Sequence, residues 1–110
     1  MKYSDSQRIE KMRETTRKLL AYVEQSGITK DDILTNETIQ WTVTTPLYNI
    51  GEQAYFLSDE YKEAHPGIPW PKIAGLRHRL VHNYYETSWE VIGTTIFKVL
   101  PSFYEEICKL

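Results

Sequence analysis

The chain reads as an all-α protein, an antiparallel four-helix bundle with one additional short helix. Three observations predict it. Apolar residues recur every three or four positions along most of the 110 residues, the period of a helix with one buried face. No segment alternates apolar and polar residues strictly, as a half-buried strand would. The joints between periodic stretches are short and hold capping and breaking residues, and helices joined so closely pack against their neighbours in antiparallel order.

The first helix is expected from Ser4 or Ser6 to Gln25, with Ile9, Met12, Thr16, Leu19 and Val23 on one stripe. Ser26-Gly27 stops it, since glycine takes the left-handed cap conformation most readily. Lys30 to Leu34 is a polar connection with a brief turn, and Thr35 or Asn36 caps the second long helix. That helix carries Ile39, Val43, Leu47, Ile50, Ala54 and Leu57, interrupted by Pro46. A proline inside a helix removes one hydrogen bond and crowds the preceding turn. Either a kink or a restart, with Thr45 as cap and Pro46 in the first position, is therefore expected.

Ser58-Asp59-Glu60 starts a short helix through Ala64, and His65-Pro66-Gly67 ends it. Pro69-Trp70-Pro71 opens a helix with Ile73, Leu76 and Leu80 inward, and Asn83 suits a left-handed cap at its end. The last helix carries Trp89, Ile92, Ile96, Val99, Phe103, Ile107 and Leu110, with a bend expected at Pro101. Four helices this short cover their stripes incompletely. Three Trp and eight Tyr then suggest either aromatic surface for a second subunit in a symmetric dimer or simply the filling of a monomer core.

Composition bounds the function. The length suits one domain, residues 1–110, with one core. Apolar residues at 41% and charged residues at 25% fit a folded globular chain rather than a disordered one. Thirteen basic against 15 acidic residues leave a net charge of -2. Binding to nucleic acid through bulk charge is thereby excluded, and any polyanion contact must come from a local cluster. The lone Cys108 can form no internal disulfide, so a reducing, cytoplasmic setting is expected. Met1 to Thr16 is dense in charge without the apolar run of a secretory signal, and no window is apolar enough to span a membrane.

The densest polar cluster is Arg77-His78-Arg79-Leu80-Val81-His82-Asn83-Tyr84-Tyr85, at the end of the helix that Trp70 opens. Three readings compete for it. Basic side chains near a helix C-terminus complement the macrodipole and cap carbonyls. His78 and His82, four apart, share a face and could clamp zinc, although no third ligand or companion Glu is evident. Alternatively, a neutral imidazole takes a proton from a ribose hydroxyl while a guanidinium holds a phosphate on which charge builds. Arg77 and His82 lie roughly 140° apart on a regular helix. They meet only if the helix unwinds at His82 or if two copies face each other.

The segment from Trp70 to Tyr84 resembles the signature of HepT-like proteins of the HEPN superfamily: Arg, four residues, His, one residue, Tyr, here Arg77, His82 and Tyr84. Ile50-Gly51-Glu52, His65-Pro66, Ile68-Pro69-Trp70 and Leu100-Pro101 agree in order, so the likeness runs from about Ser4 to Leu110. It implies an all-helical homodimer with two Arg-His motifs facing across a cleft, and a metal-independent endoribonuclease that serves as the toxin of a type VII-like toxin–antitoxin pair. By that resemblance His82 is the general acid/base and Arg77 steadies the pentavalent phosphate, with His78 and Arg79 in support and no cofactor. The products would be a 2′,3′-cyclic phosphate and a 5′-hydroxyl. The implied partner is an MntA-like minimal nucleotidyltransferase that neutralises the toxin by transferring AMP to Tyr84.

The chain departs from the family in four places. Asn83 stands where Gly is common, and Thr44-Thr45-Pro46 replaces a more regular stretch. Gly93 stands where an aromatic is frequent, with Trp89 expected to fill the space, and Tyr85 is a second candidate for modification. The alternative from another class is a non-catalytic subunit that docks a nucleotidyltransferase. The Arg77–His82 pair is the feature such a module would not need.

Overall fold

The computed structural model describes residues 2–81 and 84–110, and at Val81 and Tyr84 the backbone alone. Its elements are α1 (Asp5–Gln25), α2 (Lys30–Thr35), α3 (Glu37–Phe56), α4 (Asp59–Ala64) and α5 (Trp70–Val81), then a 3₁₀ turn (Tyr84–Glu86). They continue with α6 (Trp89–Thr94), a π turn (Thr95–Val99) and α7 (Leu100–Ile107). No strand occurs among the described residues. Both expectations of class and of four principal helices hold, with α6, the π turn and α7 forming the fourth.

Local chemistry sets most boundaries. The Ser4 hydroxyl accepts from the Gln7 amide at 3.1 Å while the Gln7 side chain accepts from the Ser4 amide at 2.8 Å, a reciprocal capping box. At the other end of α1, Gly27 has φ +63°. Its amide bonds the Glu24 carbonyl, and the Ile28 amide bonds the Val23 carbonyl at 3.0 Å. That is the Schellman pair of bonds that closes a helix on a left-handed glycine. The stretch 30–34, expected as a turn, is a helix. Thr29 and Asp32 form a second capping box, and Ile33 has a fully buried side chain to anchor it. Asn36 rather than Thr35 starts α3, its side chain accepting from the Ile39 amide at 3.1 Å.

Pro46 neither breaks α3 nor restarts it at Thr45, for the helix is continuous from Glu37 to Phe56. A mid-helix proline costs about 3 kcal/mol. Val43, Leu47 and Ile50 around it are fully buried, each worth about 1.5–3 kcal/mol, and they hold the segment helical. Pro101 acts on its own helix one turn earlier than expected. The turn at 95–99 widens, with the Leu100 amide reaching back to the Thr95 carbonyl. Widening a turn relieves the clash between a proline ring and the preceding carbonyls. It also rotates the stripe, so that Leu100 is fully buried, Val99 is only partly covered and Leu110 is exposed.

The core runs along the inner faces of α1, α3, α5, α6 and α7. Met12, Val43, Leu47, Ile50, Ile73, Ile92, Ile96, Phe103 and Ile107 contribute fully or almost fully buried side chains. Trp70 belongs to the core. Its indole N–H donates to the His65 carbonyl at 3.0 Å, and its ring meets Phe103 edge to face at 6.2 Å. At Gly93 the atoms nearest an added Cβ belong to the Lys30 stem, at 3.1 and 3.5 Å, and to Ile33, at 3.7 Å. Other aromatics stay outside: Trp41, Tyr55, Phe56 and Tyr85 are all exposed. Among the described residues, no helix is long and apolar enough to cross a membrane.

Candidate active site around Arg77

The α3–α5 pair is the most extensive helix contact in the molecule, and Gly51 makes it close. A Cβ at Gly51 would lie 2.6 Å from the Arg77 amide nitrogen and 3.1 Å from both the Ile73 carbonyl oxygen and Leu76 Cβ. No real side chain tolerates the first of these distances. The missing Cβ therefore lets the α5 backbone rest on α3 at the position where Arg77 leaves the helix.

Arg77 flanks the buried stripe of Ile73, Leu76 and Leu80, so its side chain emerges at the rim of the helix pair, one third exposed. There it meets α3. Glu52 Oε1 is 3.7 Å from Arg77 Nε. The two charges attract at that separation without a hydrogen bond, and the buried Nε has no acceptor. Glu52 is itself held by the Tyr48 hydroxyl, which donates to Oε1 at 2.9 Å. The guanidinium carbon lies over the Tyr55 ring at 4.6 Å from its centroid and near Phe56 at 5.6 Å. Cation–π attraction to two rings and a loosely paired carboxylate thus aim the guanidinium and leave donor capacity for an anion.

His78 and Arg79 lie exposed in the last turn of α5. The Arg79 carbonyl accepts from the Thr87 hydroxyl at 3.1 Å, which ties the segment before α6 back to the end of α5. Tyr84 opens the 3₁₀ turn, and Tyr85 beside it is 98% exposed. His82 and the expected cap Asn83 lie outside the described residues. Among the described residues no three His, Cys, Asp or Glu side chains converge to hold a metal ion.

Sequence reasoning singled out Arg77 as a candidate and did not show its setting. Glu52, Tyr48, Tyr55 and Phe56 are spread along α3, and only their packing against α5 relates them to the motif. A usable signal was Gly51, a glycine inside a helical period, which often marks a close backbone approach.

A family model described as Ribonuclease HepT-like matches residues 6–110. A protein of Caldanaerobacter subterraneus subsp. tengcongensis named "Putative RNase" is 31% identical over 84 residues, covering 76% of this chain and 75% of its own. "Probable ribonuclease HepT" of Thermococcus cleftensis is 31% identical over 80 residues, 73% of each chain. A Methanocaldococcus jannaschii protein, also named "Putative RNase", is 30% identical over 82 residues, 74% of this chain and 68% of its own. No solved structure matches.

Proposed function

Because the chain belongs to the HepT-like ribonuclease family, we propose that it is a metal-independent endoribonuclease toxin whose Arg77 and His82 act at the cleft of a homodimer. The observation that carries this reading is the state of Arg77. It is aimed by two rings and a carboxylate, its Nε lacks an acceptor, and it sits five residues before His82.

The chemistry rests on the two groups. The ribose 2′-hydroxyl attacks the adjacent phosphorus, and the His82 imidazole moves the proton, which is possible because its ordinary titration lies near neutrality. Charge builds on the non-bridging oxygens as the pentavalent phosphate forms, and the Arg77 guanidinium stabilises it with paired donors. Departure of the 5′-oxygen leaves a 2′,3′-cyclic phosphate on one fragment and a 5′-hydroxyl on the other. His78 and Arg79 support the site from the end of α5. Pairing two copies would bring the Arg77 and His82 groups of two motifs over one RNA linkage. An MntA-like nucleotidyltransferase would silence the enzyme by placing AMP on Tyr84, two residues from His82, where added negative charge repels RNA phosphate.

The test is cleavage of unmodified RNA by purified protein, with the termini identified by mass spectrometry. Arg77→Ala and His82→Ala are each expected to lower the rate by about 10²–10⁴-fold with unchanged circular dichroism, and EDTA to leave wild-type activity intact. Full cleavage by folded His82→Ala, or activity lost in EDTA and restored by zinc, overturns the assignment.

A further inference from the structure

Beside Arg77 lies a pocket of about 510 Å³ lined by Lys2, Tyr3, Arg8, Glu52, Gln53 and Phe56, a volume within the ~300–1,000 Å³ range of ligand sites. Glu52 and Phe56 border both the pocket and Arg77, which places the pocket next to that guanidinium. We propose that this pocket is a subsite for a nucleotide of single-stranded RNA flanking the linkage to be cut, with Phe56 and Tyr3 stacking on its base and Arg8 holding its phosphate. The subsite rests on the reading of the chain as a ribonuclease acting through Arg77.

The arrangement interleaves cations and rings. Arg8 lies over Phe56 at 5.2 Å and near Tyr3 at 5.6 Å, while Lys11 covers Tyr3 at 4.4 Å. Arg77 and Arg8 thus flank the same Phe56 ring, each guanidinium carbon within 5.6 Å of its centroid. Phe56 is nonetheless 49% exposed, leaving ring surface available to a base. Stacking on such rings with cations tracking the backbone is how single strands are held without sequence readout. Of the five Arg8 donors, one is committed to Gln53 Oε1 at 2.8 Å, and the fork retains capacity for phosphate oxygens.

Charge favours a phosphate backbone as the occupant. The whole protein carries a net charge of -2, yet Lys2 and Arg8 line this pocket with Glu52 as its one lining carboxylate, and Arg77 and Lys11 stand by its rings Phe56 and Tyr3; Glu10 and Glu14, next to Lys11, are paired with Arg13 and Arg17. Asp5, near Arg8, stays ionised as it accepts from the Ser58 amide and hydroxyl, and the cations remain in excess of the two carboxylates. A phosphate backbone brings the opposite charge.

The test uses the full chain and a fluorescein-labelled 2′-O-methyl oligoribonucleotide of mixed sequence, about ten nucleotides long, which lacks the attacking hydroxyl and so binds without being cut. Phe56→Ala is expected to weaken binding about 5- to 100-fold, with Phe56→Tyr restoring it. Arg8→Gln should weaken binding and make the slope of log affinity against log salt shallower by about 0.7, the share of one phosphate contact on a single strand. Trp41→Leu, on an exposed part of α3 away from the pocket, should change neither. Wild-type affinity in both Arg8→Gln and Phe56→Ala overturns the subsite, and if unmodified RNA is still cut the ribonuclease reading stands. Weakened binding with an unchanged salt slope in Arg8→Gln and a lost oligomer by light scattering also overturns it, in favour of a contact between copies. A wild-type protein that neither binds the probe nor cuts RNA removes both.

Discussion

Replacing Gly51 by Ala tests whether the close approach of α3 and α5 sets the position of Arg77. Two opposing effects are at work. Alanine inside a helix is favoured over glycine by about 0.5–1 kcal/mol. The new methyl, however, would stand 2.6 Å from the Arg77 amide nitrogen, against an ordinary contact of 3.4 Å or more. The obstacle is backbone, which no rotamer change moves aside, so α5 must retreat by nearly 1 Å or the helices must strain. Overpacking of this kind costs about 1–3 kcal/mol, which outweighs the propensity gain. A net loss of about 1–2 kcal/mol is expected, read as a fall of roughly 0.5–1 M in the urea midpoint with an unchanged slope.

The same retreat carries Arg77 away from Glu52 and the Tyr55 ring. A misplacement on this scale costs about 10²-fold in rate, so RNA cleavage should fall by that factor even where Gly51→Ala remains folded. Gly75→Ala is the control. It lies inside α5 with nothing within 4 Å of an added Cβ, and should gain about 0.5–1 kcal/mol. If Gly51→Ala proves as stable and as active as Gly75→Ala, the helix approach does not position Arg77 and the reasoning fails.

Two further outcomes are expected. The Asp5 carboxylate accepts the Ser58 hydroxyl at 2.6 Å and the Ser58 amide at 2.9 Å, and these bonds hold its pKa below the ordinary value. A carboxylate depressed in the folded state stabilises above its unfolded pKa and loses that contribution as pH falls through the folded one. Thermal melts of Asp5→Asn should therefore lie below wild type at neutral pH, with the gap closing only below about pH 4; a gap independent of pH refutes the link. Co-expressed with a neutralising nucleotidyltransferase, Tyr84→Phe should retain toxicity and escape AMP transfer, detected as the missing mass of one AMP. Escape by Tyr85→Phe instead would shift the modified position by one.

Much of the architecture is legible from local chemistry. Ser4, Ser58 and Gly27 mark ends because a side-chain oxygen or a left-handed backbone satisfies groups that the helix leaves unpaired, and that chemistry acts within a few residues. Arg77 stands out as a candidate through the unusual density of Arg, His and Tyr in its stretch of sequence. Pro46 and Pro101 were harder. Each is a breaker by itself, and the outcome depends on how much buried surface surrounds it.

Taken alone, the order of residues determined the helical class, most of the helix ends and the motif that names the family, because capping and periodicity operate over one or two turns. Only the tertiary structure decided that α3 stays whole through Pro46, that a wide turn puts Leu100 in the core, and that Glu52, Tyr55 and Phe56 surround Arg77. Those outcomes belong to contacts between residues more than twenty positions apart in the chain or to burial shared across helices. Their energies exist only once the helices have packed.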